Sequence, residues 1–250
     1  LGLSVVVTRA ELEAPAVVLV QDDAGRIRLA GTASAADEVD EVAPEAPPSL
    51  PQLADAVARA DAAIGSFLAD SGVARLALAI RHGDIAGRDA VSGNVRHFRD
   101  VDLTARTDSD VGEVVAQLTA TGWSGTWTAD VARRIAEDSG DHVVSAGFSQ
   151  LTLADVMPSL ASSAAAEIPL YGNVRVVVDD RGMRDATLNL DVGAGVLDFG
   201  TPDEAVLLDE ASFHARWDGA AGEIVVEPSS LHFGPTSGSF TGVIRDEGSG

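Results

Sequence analysis

The chain is 250 residues long, 46 % hydrophobic and 22 % charged, and its formal net charge is −22, with every basic residue an arginine. That length and apolar content can bury a core in one or two domains, and the lack of cysteine excludes disulfides and thiolate metal sites. Phosphate neutralisation needs a basic face; no basic run is longer than Arg133-Arg134, which argues against nucleic acid as a partner and against flat adhesion to an anionic membrane surface.

The sequence starts at Leu1 without a methionine, and it reads as a piece of something longer. Residues 1–30 form an N-terminal β element. Val5 and Val7 lead to Val17–Val20, and Asp22-Asp23-Ala24-Gly25 turns the chain into Arg26–Ala30, with glycine supplying a positive φ. Residues 31–50 are an acidic linker ending near Pro47-Pro48, in which Asp37, Glu38, Asp40, Glu41 and Glu45 meet no base.

Residues 51–72 predict an amphipathic helix. Ser49 caps it, Pro51 suits its first turn and Gly72 ends it. Leu53, Val57, Ala60, Ile64, Phe67 and Leu68 share one stripe, while Asp55, Arg59, Asp61 and Asp70 lie off it. Such a helix packs along a sheet.

Residues 73–150 predict a first β-meander, with strands at Leu76–Ile80, Val95–Phe98, Val101–Ala105, Val114–Leu118, Trp123–Ala129 and Val143–Phe148. A short helical connector follows over 151–168, centred on Leu153–Leu160. Residues 169–250 predict a second meander, whose apolar residues recur at every second position. Period-two alternation collects them on one face of the sheet. That face comprises Val174, Val176, Val178, Leu188, Leu190, Val192, Phe213, Trp217, Ile224, Val226, Leu231, Phe233 and Phe240. The fold class expected is mainly β, or β-dominant α+β: an elongated antiparallel meander making a curved sheet or groove, with one helix packed on it.

No catalytic constellation emerges. His82, His97, His142, His214 and His232 are scattered singly without zinc spacing, and His214 and His232 fall on the polar side of their strands. Gly122-Trp123-Ser124-Gly125 misses the nucleophile-elbow spacing, and Gly193-Ala194-Gly195 breaks off before a dinucleotide fingerprint. Asp179-Asp180 and Asp209-Glu210 read as turn chemistry. Trp123 and Trp127, four apart, would share a strand face and read as sheet packing. The expectation is a non-catalytic chain with no metal and no cofactor.

Several passages resemble AsmA-like proteins of Gram-negative bacteria: Leu12–Ala30 with its hairpin and acidic gap, Val73–Leu103, Ile168–Val178 with Pro169 and Gly172, and Leu207–Trp217 with Leu208-Asp209-Glu210-Ala211, Phe213 and Trp217. The resemblance implies a periplasmic segment of a protein anchored in the inner membrane, its anchor outside this sequence. It further implies that the apolar β-groove carries phospholipid acyl chains in outer-membrane and envelope homeostasis, with envelope-protein partners of unknown identity. The other reading is a purely structural sandwich or solenoid domain whose apolar faces close on each other, since both need the same alternation.

Overall fold

The structure, a computed structural model, describes residues 8–21, 27–29, 58–59, 61–62, 65, 75–89, 95–108, 111–122, 125–152, 155, 167–197 and 206–245. Its strands in chain order are β1 (Arg9–Glu13), β2 (Ala16–Gln21), β3 (Ile27–Leu29), β4 (Arg75–Asp89), β5 (Val95–Asp108), β6 (Glu113–Thr121), β7 (Thr126–Ile135), β8 (His142–Thr152), β9 (Pro169–Asp179), β10 (Gly182–Val192), β11 (Gly195–Leu197), β12 (Val206–Leu208), β13 (Glu210–Asp218), β14 (Glu223–Phe233) and β15 (Thr236–Arg245). Thirteen of them build one curved, open sheet, in the order β15-β14-β13-β10-β9-β8-β7-β6-β5-β4-β2-β3, with β1 also on β4. β11 and β12 form a separate two-stranded ribbon. The chain is mainly β, as its alternation predicts.

Local chemistry explains the sharp turns. At the β9–β10 turn, Asp179 accepts the Arg181 amide proton at 2.7 Å, and Gly182 takes φ +118, so that Asp179 and Gly182 pair directly. At the β13–β14 turn, Asp218 accepts from the amides of Ala220 and Ala221, each at 3.1 Å. These backbone donors, Ala221 foremost, hold the Asp218 carboxyl below the usual carboxylate range.

Two expectations need correction, on strand direction and on the division of β5, and two further features of the sheet were not expected. The sheet is not wholly antiparallel: β1 and β2 both run parallel to β4, one beyond the other along it. A break at Ala14, with φ 45, and Pro15 separates them. Val95–Phe98 and Val101–Ala105 belong to one strand, β5, interrupted by a bulge at Asp100 rather than by a turn. The two meander segments join in one continuous sheet, because β8 pairs with β9 along most of its length. The β11–β12 ribbon has no counterpart in the sequence reading; it follows Gly193-Ala194, where the chain leaves the main sheet between β10 and β13.

Apart from a shift between Met183 and Asp185 at the start of β10, the bulges of the main sheet fall in one band across it. Register shifts occur between Ile80 and Ile85 on β4, Arg99 and Asp102 on β5, Phe148 and Leu151 on β8, Ser212 and Ala215 on β13, and Val226 and Ser229 on β14. Tracing partners from strand to strand puts these at nearly the same height. His82, Asp100 and Gln150 sit in this band with φ of 49, 49 and 61. Each bulge adds a bend and extra twist, so a row of them curves the sheet as a whole. The tightest apolar packing gathers there: Val101, Ala120 and Trp127 are buried, with Ile85, Phe98, Leu118, Ala129 and Leu151 against them. Phe98 meets Trp127 edge to face at 5.5 Å.

Of the predicted helix, Ala58, Arg59, Asp61, Ala62 and Gly65 are described and are helical; its remaining residues, including the caps Ser49, Pro51 and Gly72, lie outside the described residues. So do the acidic linker, the Asp22–Gly25 turn, Trp123, and all of the Leu153–Leu160 connector except Asp155, which is helical.

Candidate functional site

Strand register decides which side chains share a face, and it assembles one apolar face across the sheet. Leu12 on β1 lies beside Ile80, then Leu103, Leu118, Ala129, Phe148, Gly172, Leu190 and Phe213 in successive strands. A parallel row runs Ala10, Leu78, Ala105, Ala116, Val131, Ala146, Val174, Leu188, Ala215 and Val226. Phe240 on β15 extends the first row by stacking on Phe213 at 6.4 Å.

All residues assigned to the apolar face from the sequence fall on this side. Val176, Trp217 and Ile224 make a third row; Val192 and Leu231 flank Ala211; Val178 pairs with Met183, and Phe233 with Thr236 at the strand ends. Sequence reasoning assigned no residue of β4–β8 to this face, although the same alternation runs through them. Leu78, Leu103, Leu118 and Phe148 belong to it as fully as Leu190 does.

The face is not uniformly covered. Val176, Val178 and Val226 are buried, whereas Leu12 is 46 % exposed, Phe240 38 % and Ile244 48 %. The opposite face carries a polar ladder: His214 Nδ1 contacts Asn189 Oδ1, and Asn189 donates to Asn173, both at 3.0 Å. His214 therefore stands on the polar side, as its position in the strand predicts, and the register of His232 against Ser237 places it there too.

One polar cluster interrupts the apolar face. Arg133 on β7 and His142 on β8 both belong to it, by pairing with Val144 and with Val178, and Asp61 of the helical segment comes down onto them. Asp61 and Arg133 side chains are 4 % and 3 % exposed. Arg133 Nε donates to Asp61 Oδ1 at 2.6 Å and its Nη1 to the Gly112 carbonyl at 3.0 Å. His142 Nδ1 lies 2.5 Å from Asp61 Oδ2 and 3.0 Å from Arg133 Nη2. One ring nitrogen cannot both donate to Asp61 and accept from Arg133. The shorter, charge-assisted contact to an ionised carboxylate decides it: Nδ1 carries the proton, and the Arg133 Nη2 approach is contact only. Burial alone pushes the Asp61 carboxyl up, but the hydrogen bonds and charges of Arg133 and His142 outweigh it and hold the group below the usual range. Asp61, assigned to the solvent side of its helix, is instead the point at which the helix is tied to the sheet. Hydrophobic periodicity missed it because periodicity does not register an opposite charge supplied by another strand.

A second ionic contact lies at the bulge end of the sheet. His82 Nδ1 bonds Asp100 Oδ1 at 2.9 Å, and the Asp102 carboxylate accepts the His82 amide at 3.2 Å. Bonding to Asp100, with the charges of Asp102 and Asp100, raises the His82 imidazole above its ordinary value. Both groups are exposed, so this is bulge chemistry at the surface. Among the described residues no group of histidine and carboxylate side chains has the arrangement of a metal site, and no helix is long and apolar enough to cross a membrane.

Trp127 adds one unsatisfied group to the apolar core: its indole Nε1 is buried with no hydrogen-bond partner. No protein-family model matches the chain, and neither a curated protein nor a solved structure matches it.

Proposed function

We propose that this chain is a non-catalytic segment of an AsmA-like envelope protein, whose apolar sheet face holds phospholipid acyl chains. The observation that carries the reading is the continuity of that face. Apolar side chains succeed one another from Leu12 on β1 to Phe240 on β15, and the only other sheet among the described residues is a ribbon of three-residue strands. A face of this kind costs roughly 25 cal/mol for each Å² of apolar surface left in water. Acyl chains cover such a surface with no directional contact, which suits a face whose described residues form one charged cluster, Asp61–Arg133–His142.

The helical segment meets the face at β7 and β8 through Asp61, while Leu12 at one edge and Phe240 and Ile244 on β15 at the other are exposed. The periplasmic location and the inner-membrane anchor, the latter outside this sequence, belong to the same proposal and rest on the resemblance.

The test is photocrosslinking in cells with the full-length parent. A photoreactive aromatic replaces Trp217, on the apolar face beside Ile224, and in a control replaces Arg216, on the opposite face beside Val225. Phospholipid adducts found by mass spectrometry at 217 and not at 216 are expected. Adducts at neither position, in a protein that remains folded, would overturn the lipid reading in favour of a purely structural domain.

A further inference from the structure

Among the described residues, three arginines gather around one shallow depression of the sheet. On the polar face, at the β1 edge of the sheet, a concavity of about 250 Å³ is lined by Arg9, Arg81, Arg106, Thr104 and Gln117, over a floor that includes Ala77 and Ala79. Three arginines line it, and Glu11 and Glu13 border it on the same face of β1, in a chain with 39 acidic residues against 17 basic ones.

Register explains the shape. Arg9 and Arg106 lie on either side of Ala77, and Glu11 and Thr104 on either side of Ala79. Across two strand spacings, Arg9 and Arg106 therefore stand about 9–10 Å apart at their Cα atoms. Arg81 follows on the same face of β4, so three guanidinium groups frame a trough whose floor is no higher than a methyl group. Thr104 and Gln117, neighbours across β5 and β6, add a hydroxyl and an amide along one wall.

The arginines of the described residues divide into those held by carboxylates and those that are not, and Arg81 and Arg106 belong to the second group together with Arg59, Arg99, Arg134 and Arg181. Arg75, Arg133, Arg184 and Arg245 each hold a carboxylate at 3.0 Å or less. Arg9 shares an exposed contact of 3.2 Å with Glu11. Arg81 and Arg106 make no ion pair or hydrogen bond among the described residues, even though Glu13 is the register partner of Arg81. In a strongly acidic molecule, exposed guanidinium groups that leave nearby carboxylates unpaired are available to an external anion. Their planar forks of donors match phosphate oxygens in pairs.

We propose that this trough binds a small phosphate-bearing anion, with Arg81 and Arg106 as its principal ligands, Arg9 closing the β1 side, and Thr104 and Gln117 donating from the β5–β6 wall. The site lies on the face opposite the apolar rows and stands or falls independently of the lipid reading. A small anion can enter it where an extended anionic surface would be repelled by the rest of the chain. The phosphate could be that of a soluble ester or of a phospholipid headgroup, and the experiment separates the two.

The full chain is titrated calorimetrically with inorganic pyrophosphate at low salt, and in parallel sedimented with vesicles of phosphatidylglycerol and phosphatidylcholine or of phosphatidylcholine alone. Saturable pyrophosphate binding that weakens with added salt is expected. The double variant R81Q/R106Q should weaken it by at least about tenfold, since hydrogen bonds to charged groups carry that much. R175Q, a change of the same chemistry on the same face at β9, should leave it unchanged. Melting curves of both variants establish that they are folded. Pyrophosphate binding without capture by phosphatidylglycerol vesicles identifies a soluble phosphate ester. Capture by those vesicles, lost in R81Q/R106Q, identifies a headgroup. Absence of both kinds of binding overturns the proposal, as does binding that R81Q/R106Q leaves intact or that R175Q weakens equally.

Discussion

Asp61 illustrates how a single residue can couple two elements. Its carboxylate is buried against Arg133 and His142, and removing one member of a buried pair strands the other charge, at a cost of about 3–5 kcal/mol. Asp61→Asn and Arg133→Met should each lower urea-unfolding stability by that order. The double change Asp61→Leu with Arg133→Met should recover much of the loss, because an apolar pair leaves no orphan charge. The pH dependence follows from the direction of the Asp61 shift. Its folded-state pKa lies below the ordinary value of 3.8, so its stabilisation is fully present above that pH and fades as pH falls through the lowered value. Melting temperatures of wild type and Asp61→Asn should therefore differ at neutral pH and converge in acid. A difference that persists unchanged at pH 2 would show that the ionised carboxylate is not the source. His82 has the opposite sign: its raised pKa makes its contact with Asp100 favourable below the ordinary imidazole value, with the benefit lost as pH rises through the raised one.

At the scale of the element, strands β9 and β10 show why glycine stands in the middle of an apolar row. Gly172 pairs with both Phe148 and Leu190, and a Cβ placed there would run into the Asn189 carbonyl oxygen and the Phe148 ring. Because the obstacle is partly backbone, it cannot swing aside. Gly172→Ala should cost about 1–3 kcal/mol through overpacking, seen as a lower denaturation midpoint at unchanged slope; a neutral result would mean that the two strands are not so closely apposed. β15 illustrates the opposite condition. All ten of its residues are exposed and it closes one side of the sheet, with Arg245, paired to Glu223, as its single charge. Such a strand has little of the protection that charge and proline usually give an edge.

For the whole molecule, the decisive property is that one large sheet has two unlike sides. Leu190 sits in the row between Gly172 and Phe213 and is half-buried. Leu190→Ala removes part of the apolar surface and should be tolerated with a loss of about 2–3 kcal/mol at most. Leu190→Arg places a charge among Val174, Phe213 and their neighbours, and should cause a much larger loss both of stability and of any lipid adduct at position 217. Measuring unfolding and crosslinking together separates the two effects, and equal tolerance of Ala and Arg would show that this face is neither a core nor an acyl surface. The same asymmetry places the arginine trough on the side opposite the apolar rows.

Alternation by itself determined that this is a β protein and which side chains share a face in its C-terminal half. Period two is a property of the strand backbone, and it places Val174, Leu188 and Trp217 on one side whatever lies next to them. The turn residues did the same for the β9–β10 hairpin, because Asp179 and Gly182 make their own local conformation. Tertiary structure alone decided the rest. It joined the two meanders through β8 and β9, set β1 and β2 parallel to β4, aligned separate bulges into one bend, and brought Asp61 to Arg133 across 72 positions of chain. It also gathered Arg9, Arg81 and Arg106 around Ala77 and Ala79. Strand partners, parallel edges and opposed charges depend on contacts between residues far apart in sequence, and no local pattern records which distant strand a segment will meet.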